Sequence, residues 1–361
     1  MAKIGGETCD AAPAFSTDLF EYALPAHRIA QVPAEPRDSS RLLHLLPGGA
    51  LADHEFRDLP DLLRPGDLLV ANDTRVRAAR LRGRRDDGGA AEVLLLERLD
   101  TTRFTALVRP GRRLHDGACV TVGDGLRIRV AGPAPGHAGA RVVDLEARGD
   151  VERAIAGVGE APLPPYIHTP LSDPERYQTV YAAGDPASAA APTAGLHFTA
   201  RVRDALAGRG IGWATLQLDV GLGTFAPITA PDVRNHRMQT ERCTLPGGTA
   251  AAIAHTRAAG GRVIAVGTTA VRTLESHVDG AGGLQPGTIS TGLFLTPGHR
   301  FAVVDGLLTN FHQPRSSLLV LLAAFVGSRA WRRAYDHALS EGYRFLSFGD
   351  CMLCWPQGAG A

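Results

Sequence analysis

The stretch Ala191–Thr199 is where this sequence concentrates groups suited to acid–base chemistry. It reads Ala-Pro-Thr-Ala-Gly-Leu-His-Phe-Thr, and its proline and glycine predict a turn. Thr199 is placed to cap a helix over residues 200–207. His197 stands just before that helix, where unpaired backbone N–H groups can bind an anion. Its imidazole is a candidate base for removing a proton beside an anion. A turn histidine satisfied by ordinary hydrogen bonds is the alternative.

Two further stretches place polar side chains beside helix starts. Thr268 and Thr269 follow a predicted strand and open a predicted helix that carries Arg272, which sets hydroxyls and a guanidinium near a helix N-terminus. Asn310 and His312 precede an apolar helix. Each stretch has a structural alternative. The first is an ordinary capped helix, and the second is a buried hydrogen-bond network.

A glycine pair followed by a hydroxyl residue forms a third candidate. Gly221 and Gly223 would let the backbone approach a ligand closely, and Thr224 would add a hydroxyl. A glycine pair alone more often marks a tight turn. The sequence contains no dinucleotide fingerprint, phosphate loop or zinc-protease motif. Cys351 and Cys354 lack a second ligand pair, so no metal site is expected.

The composition is that of a globular protein of about two domains, with 361 residues, 44% of them hydrophobic and 21% charged. A net charge of +1 argues against polyanion binding over the whole surface. Residues 61–149 hold sixteen arginines against twelve acidic residues, so polyanion contact is expected there. The longest apolar run is far shorter than the roughly 20 residues that span a bilayer. Five scattered cysteines predict no disulfide framework, and we expect a cytoplasmic protein.

The predicted secondary structure that positions these side chains changes along the chain. Residues 1–14 are predicted to be a disordered leader. Short apolar or alternating runs within residues 61–149 predict an antiparallel barrel or sandwich. These runs are Leu68–Ala71, Ala91–Leu96, Phe104–Val108, Cys119–Val122, Leu126–Val130 and Arg141–Leu145. After residue 150, strands and helices alternate, which predicts an α/β class. The predicted division is an α/β catalytic domain of residues 1–60 and 150–361 with an inserted β-barrel of residues 61–149.

The predicted elements after residue 150 surround the polar stretches. The helices are Val151–Val158, Thr249–Ala259, Ala270–His277 and Ser316–Phe325, and the strands are Trp213–Leu218 and Arg262–Val266. A strand followed at once by a helix carries Thr268 and Thr269, which is the arrangement that exposes a helix N-terminus to a ligand.

Short sequence motifs distributed along nearly the whole chain are the most specific evidence for a family resemblance. They are NDTRVRAARLRG at 72–83, AEVLLLERL at 91–99, LPPYI at 163–167, ERYQTVYA at 175–182, APTAGLHF at 191–198, GLGTF at 221–225, VIAVGTTAVRTLES at 263–276, VVDGLLTNFHQP at 303–314 and YRFLSFGD at 343–350. On these strings the chain resembles the S-adenosylmethionine:tRNA ribosyltransferase-isomerase family of queuosine biosynthesis. The resemblance implies an α/β domain of unusual topology with an inserted small β-barrel.

The family reaction sets what the site residues must do. The ribosyl part of S-adenosylmethionine moves onto 7-aminomethyl-7-deazaguanine in the tRNA wobble position and is isomerised, giving epoxyqueuosine, adenine and methionine. The resemblance implies S-adenosylmethionine as a substrate, with no tightly bound cofactor and no metal. It also implies that the tRNA anticodon loop meets the arginine-rich barrel face. The sulfonium acidifies the C5′ protons, so a base is needed, and leaving adenine needs a proton donor.

The polar strings that match the family supply the candidate site residues. We expect catalytic roles for His197, Asp219, Arg272 and His312. We expect S-adenosylmethionine to contact Gly221, Gly223, Thr224, Thr268, Thr269 and Asn310, with the adenosine near residues 221–225.

Four positions depart from the family pattern. Asp219 and Gln239 stand where the family usually has histidine, Gly292 where aspartate is common, and Phe348 where tyrosine is usual. An ordinary carboxyl, with a pKa of about 4, is a weaker base near neutrality than imidazole. We expect Asp219 to line the site, the alternative being a surface pair with an arginine. Two other functions stay open: a relative that uses S-adenosylmethionine with a different acceptor, and a non-catalytic RNA-binding protein.

Overall fold

The computed structural model describes residues 15–135, 139–184, 186–221 and 227–358. The predicted leader of residues 1–14 and two candidate site residues, Gly223 and Thr224, lie outside the described residues. Within the described residues, the strands form a nine-stranded mixed sheet, a closed six-stranded barrel and one two-stranded pair. The mixed α/β fold with a small antiparallel barrel is the fold class predicted from the sequence.

The elements follow one another in three groups. Ahead of the barrel lie β1 (Arg41–Leu45), β2 (Leu51–Glu55), α1 (Leu59–Leu62), β3 (Leu68–Asn72) and β4 (Arg75–Val76). The barrel strands are β5 (Arg80–Arg85), β6 (Ala90–Arg98), β7 (Arg103–Arg109), β8 (Cys119–Val122), β9 (Leu126–Pro133) and β10 (Arg141–Ala147). After them come α2 (Val151–Val158), β11 (Pro186–Ser188), α3 (Ala200–Gly208), β12 (Gly212–Leu218), β13 (Glu241–Leu245), α4 (Gly247–Ala258), β14 (Val263–Val266), α5 (Thr268–Ser276), β15 (Gly287–Thr291), β16 (Gly306–Asn310), α6 (Ser317–Val326), α7 (Ser328–Ser340) and β17 (Cys351–Cys354).

Four neighbouring strands of the main sheet run parallel. The sheet order is β15-β13-β12-β3-β14-β16-β17-β1-β2, and β12, β3, β14 and β16 pair in parallel. Both β3 and β14 are buried along their whole length, which explains their continuous apolar sequences. Parallel pairing brings the carboxyl ends of the four strands to one edge of the sheet.

The barrel has its own core. Its strands pair antiparallel in the closed order β10-β7-β6-β5-β8-β9. The inward side chains of Leu81, Val93, Phe104, Ile128 and Val143 are fully buried. Strand β5 was not predicted, because its sequence Arg-Leu-Arg-Gly-Arg-Arg is dominated by arginine. Its glycine, Gly83, is required by close packing, since a Cβ there would stand 2.3 Å from the Thr121 carbonyl oxygen.

One predicted barrel strand belongs to the main sheet instead. Leu68–Ala71 was expected in the barrel, whereas β3 lies between β12 and β14 at the centre of the nine-stranded sheet. The run Leu-Leu-Val-Ala lacks the in–out alternation of a barrel strand and is buried on both faces. The barrel strands therefore extend from Arg80 to Ala147.

Several predicted helices are confirmed together with their caps. Helix α2 spans the predicted residues, and Asp150 accepts a hydrogen bond from the Arg153 amide at 2.8 Å. Thr199 caps α3 by accepting from the Val202 amide. Ser316 caps α6, which ends at Gly327, and α7 follows at once although it was not predicted. No helix in the described parts of the chain is long and apolar enough to cross a membrane.

Candidate active site at the carboxyl edge of the main sheet

The carboxyl edge of the parallel strands collects most of the described candidate residues. Asp219 follows β12, Thr74 lies two residues after β3, Thr268 opens α5 two residues after β14, and His312 lies two residues after β16. In open α/β sheets, ligands bind outside the carboxyl ends of the strands. The topology therefore makes this edge the candidate active site.

The predicted turn before α3 packs on the same edge. It is a short 3₁₀ turn, Thr193–His197, in contact with β16. Its Ala194 touches the start of α5, since a Cβ at Gly267 would lie 3.6 Å from the Ala194 Cβ. Gly195 lies against Tyr181, whose hydroxyl would be 2.0 Å from any Cβ at that position. Only glycine fits there, and the turn is held close to both β16 and α5.

His197 is buried and hydrogen-bonded at both ring nitrogens. Nδ1 lies 2.7 Å from the Ser40 hydroxyl and Nε2 lies 3.2 Å from the Asn310 side-chain nitrogen. With the amide donating to Nε2, the proton sits on Nδ1 and is donated to Ser40. The Phe56 ring stacks on the imidazole with centroids 5.2 Å apart. Burial, together with the charges of Arg344 and Arg37, lowers the pKa of His197 to about 3. Its imidazole is neutral at pH 7.

Asn310 and His312 line a cavity of about 40 Å³. The cavity is also lined by Tyr166, Thr193, Phe311, Gln313, Ser316, Leu318, Leu346 and Ser347. His312 Nε2 lies 2.9 Å from the Thr309 hydroxyl, and burial lowers the pKa of His312 to about 3. The Asn310 amide also donates to the Leu346 carbonyl, while its Oδ1 is buried without a hydrogen-bond partner among the described residues. A volume of this size accommodates water.

Asp219 lies inward of the surface at the end of β12. The Thr74 hydroxyl donates to its carboxyl at 3.4 Å. Burial raises the pKa of Asp219, against the opposing effects of that hydrogen bond and of Arg242 and Arg77. Within the described ranges, no arginine nitrogen lies within ion-pair distance of this carboxyl. Asp219 therefore forms no surface ion pair with an arginine among the described residues.

The two positions that lack the family's histidines flank the same glycine. Asp219 precedes Gly221 by two residues, and a Cβ at Gly221 would lie 3.7 Å from Gln239 Oε1. These two positions are separated along the chain, and both lie near Gly221. On the resemblance to the family, a carboxyl and an amide are expected at this corner where relatives usually carry two imidazoles.

A buried ion pair joins this corner to α5. The Arg272 guanidinium pairs with the Glu241 carboxylate, and both side chains are almost wholly buried. The other Glu241 oxygen accepts a hydrogen bond from the Gly221 amide at 2.8 Å. Arg272 Nε donates to the Leu293 carbonyl at 3.2 Å, while Nη2 is buried with no partner among the described residues. Glu241 thus connects β13, α5 and the turn at Gly221.

Glu241 was not predicted as a site residue. The available signal was the run Glu-Arg-Cys-Thr-Leu over residues 241–245, whose alternation places Glu241 on the same face as Cys243 and Leu245. A glutamate on the buried face of a strand requires a partner, and in this structure that partner is Arg272.

The described candidates therefore form two groups along one edge. His197, Asn310 and His312 lie around β16, and Asp219, Gly221 and Arg272 lie around the ends of β12 and β13. Thr268 and Thr269 open α5 between these groups, at the end of β14.

Comparisons with known proteins give one consistent result. A family model described as queuosine biosynthesis protein matches residues 17–354. An S-adenosylmethionine:tRNA ribosyltransferase-isomerase from Symbiobacterium thermophilum is 50% identical over 337 residues, which cover 92% of this chain and 98% of the relative. A protein of the same name from Nitrobacter winogradskyi is 47% identical over 363 residues, with 96% and 99% covered.

A solved structure shows the same architecture. The crystal structure of an S-adenosylmethionine tRNA ribosyltransferase from Thermotoga maritima superposes with a TM-score of 0.53 at 33% identity. The match covers 93% of this chain and 99% of that one. The relatives therefore align over both the main sheet and the barrel.

Proposed function

Because the chain belongs to the queuosine biosynthesis protein family, we propose that it is an S-adenosylmethionine-dependent tRNA ribosyltransferase-isomerase. It transfers and isomerises the ribosyl part of S-adenosylmethionine onto 7-aminomethyl-7-deazaguanine in the tRNA wobble position. The products are epoxyqueuosine, adenine and methionine. The observation that carries this proposal is the 47–50% identity, over more than nine-tenths of both chains, to proteins named for that reaction.

Asp219 is the described side chain best suited to the first proton transfer. The sulfonium of S-adenosylmethionine makes its C5′ protons acidic, and a positioned base within hydrogen-bond reach can remove one. Burial raises the pKa of Asp219, which makes its carboxylate a stronger base than an exposed one. His312, kept neutral by burial, acts as a hydrogen-bonding group for adenine or ribose, and His197, whose two ring nitrogens bind Ser40 and Asn310, positions Asn310. Gly221, Gly223, Thr224, Thr268, Thr269 and Asn310 bind S-adenosylmethionine.

The barrel is the proposed contact for the tRNA anticodon loop. It leaves the main sheet through the carboxyl end of β3, so it stands beside the candidate site. Many of its arginines are already paired, such as Arg103 and Arg129 with Asp144. At the end of β7 and in the turn after it, however, Arg109, Arg112 and Arg113 are exposed, and none has an ion pair within the described parts of the chain. These three guanidiniums are available to bind phosphates.

The main sheet and the barrel therefore have different proposed roles. The main sheet, which includes β3, belongs to the catalytic α/β part, and the barrel strands from Arg80 to Ala147 form the inserted part that contacts tRNA. A tRNA substrate places the reaction in the cytoplasm.

A different acceptor is the second candidate function, and one observation favours it. Asp219 and Gln239 flank Gly221 where the family usually has two imidazoles. If this corner binds the acceptor base, its altered hydrogen-bonding groups would select another base.

The test is adenine release from S-adenosylmethionine with two tRNA substrates. One carries the 7-aminomethyl-7-deazaguanine precursor and the other carries guanine at the same position. The proposal expects adenine only with the precursor tRNA. Binding of S-adenosylmethionine without adenine release from either tRNA would favour a different acceptor. Absence of S-adenosylmethionine binding to the folded protein would contradict both enzyme functions.

A further inference from the structure

The first turns of α5 carry two buried polar atoms that have no partner in the part of the chain that the structure describes. Thr269 Oγ1 and Arg272 Nη2 have no hydrogen-bond partner among the described residues. Residues three apart on a helix lie on one face, with Cβ atoms about 5–6 Å apart. The Arg272 side chain is 5% exposed, so its charge is held out of water.

The N-terminus of the same helix adds two backbone donors, since the Thr268 and Thr269 amides have no partner among the described residues. α5 follows β14 directly, and its N-cap is Gly267, which provides no side-chain cap. The first amides of a helix lack intrahelical partners and favour an anion. A hydroxyl, a guanidinium N–H and free backbone amides therefore belong to one helix end at the carboxyl edge of the sheet.

We propose that this end of α5 binds the α-carboxylate of the methionyl part of S-adenosylmethionine, with Thr269 and Arg272 as its ligands. The assignment rests on the proposed function and adds to it which end of the substrate lies at α5. The carboxylate is the one anionic group of this substrate, which otherwise carries a sulfonium and an ammonium. Arg272 thereby changes from an expected catalytic residue to a substrate-binding residue.

The neighbouring carboxyls fit the cationic part of the same substrate. Glu241 and Asp219 lie close enough for the charge of Glu241 to raise the pKa of Asp219. A region with one guanidinium and two carboxyls complements a ligand that has one carboxylate and two cationic centres. The ammonium and sulfonium therefore lie toward Asp219, which is also where the proton at C5′ must be removed.

Glu241 acts through Arg272 and is a positioning residue. Its carboxylate fixes the guanidinium from one side and the Gly221 amide from the other. This contact leaves Nη2 as the N–H that the substrate can use. Loss of the negative charge at residue 241 releases the guanidinium from that orientation.

The test compares the dissociation constants of S-adenosylmethionine and decarboxylated S-adenosylmethionine by calorimetry. For the wild type we expect the decarboxylated ligand to bind about 10- to 100-fold more weakly, the worth of a charge-assisted hydrogen bond. Arg272→Gln should bring the ratio of the two constants close to one. Glu241→Gln should lower the ratio and raise the KM for S-adenosylmethionine with little change in kcat.

Arg262→Gln is the matched control. Arg262 pairs with the buried Asp67 at the opposite edge of the sheet, with Nε 2.9 Å from Oδ1. Arg262→Gln therefore also removes an arginine from a buried carboxylate. It should leave the ratio of the two dissociation constants at the wild-type value. Thr269→Val keeps the ion pair and the fold, and should lower the ratio about 2- to 10-fold.

An Arg272→Gln variant that weakens both ligands by the same factor would overturn the assignment. If that variant does not fold, an unchanged ratio in Thr269→Val would do so. In either case, adenine release by the wild type would leave the proposed function standing.

Discussion

The Asn310 side-chain amide lies 3.2 Å from Nε2 of His197 and ties the turn before α3 to the end of β16. Ser40 occupies the other ring nitrogen, so the imidazole is a neutral, doubly hydrogen-bonded group. His197 is therefore a buried side chain held in one position at the candidate site.

His197 should make the protein less stable in acid. The pKa in the folded state is about 3, below the ordinary value of 6.5, so the unfolded chain binds the proton more tightly. The stabilisation is complete above about pH 6.5 and is lost as pH falls toward 3, by at most about 1.4 kcal/mol per pH unit. Chemical denaturation of His197→Gln should show a shallower acid dependence than the wild type. His27→Gln, at an exposed position, should keep the wild-type slope, and an equal slope for both variants would contradict the assignment.

Asp219 should control the rate of adenine release. As the proposed base, its removal in Asp219→Ala should lower kcat about 10²- to 10⁴-fold, with S-adenosylmethionine binding retained. Asp219→His should retain activity and move the lower limb of the pH profile toward the histidine range near 6.5. If both variants show the wild-type rate and pH profile, Asp219 is a structural residue.

Asp219 and Gln239 should act together. Because both flank Gly221, the effects of Asp219→His and Gln239→His on kcat/KM should not be additive. Residues in contact show coupling of about 0.5–3 kcal/mol in a double-mutant cycle, whereas distant sites add within about 0.3–0.5 kcal/mol. Additive effects would show that the two departures from the family are independent.

The turn after β7 should contribute to tRNA affinity. Arg112→Gln combined with Arg113→Gln should weaken binding of precursor tRNA and reduce the slope of log K against log salt by about 1 per lost phosphate contact. Filter binding at several salt concentrations measures both quantities. Arg127→Gln is the matched barrel control, since Arg127 already pairs with Asp86 at 3.5 Å. Equal losses for the double variant and the control would argue against a specific contact.

Gly195 should tolerate no side chain. A Cβ would meet the Tyr181 hydroxyl at 2.0 Å and Thr179 Cγ2 at 2.8 Å. Gly195→Ala should therefore lower the free energy of unfolding by about 1–3 kcal/mol and displace His197. Gly208→Ala is the control, because no atom lies within 4 Å of a Cβ at that helical position. The account of this turn fails if Gly195→Ala is as stable as Gly208→Ala.

Regular local patterns were predictable from the sequence. The cap and helix at Thr199–Gly208 and the apolar helix closed by Gly327 depend on nearby residues, and both are present. Five of the six runs assigned to the barrel are barrel strands. The run at Leu68–Ala71 was assigned wrongly, because its position depends on pairing with β12 and β14, far along the chain.

The contacts within the candidate site were less accessible from the sequence. The pair of Glu241 with Arg272, and the proximity of Gln239 to Gly221, join segments that local patterns do not connect. Strand β5 was not recognisable because four of its six residues are arginine, and only Leu81 and Gly83 are not. Long-range pairing of buried charges is set by the sheet order, which a single sequence does not specify.

Nucleoside analysis of the tRNA product detects the proposed reaction itself. The protein is incubated with S-adenosylmethionine and tRNA that carries 7-aminomethyl-7-deazaguanine, and the digested tRNA and the released small molecules are measured by mass spectrometry. We predict epoxyqueuosine in the tRNA, with one adenine and one methionine released for each modified base. An unchanged precursor base after incubation with folded protein that binds both substrates would contradict the account.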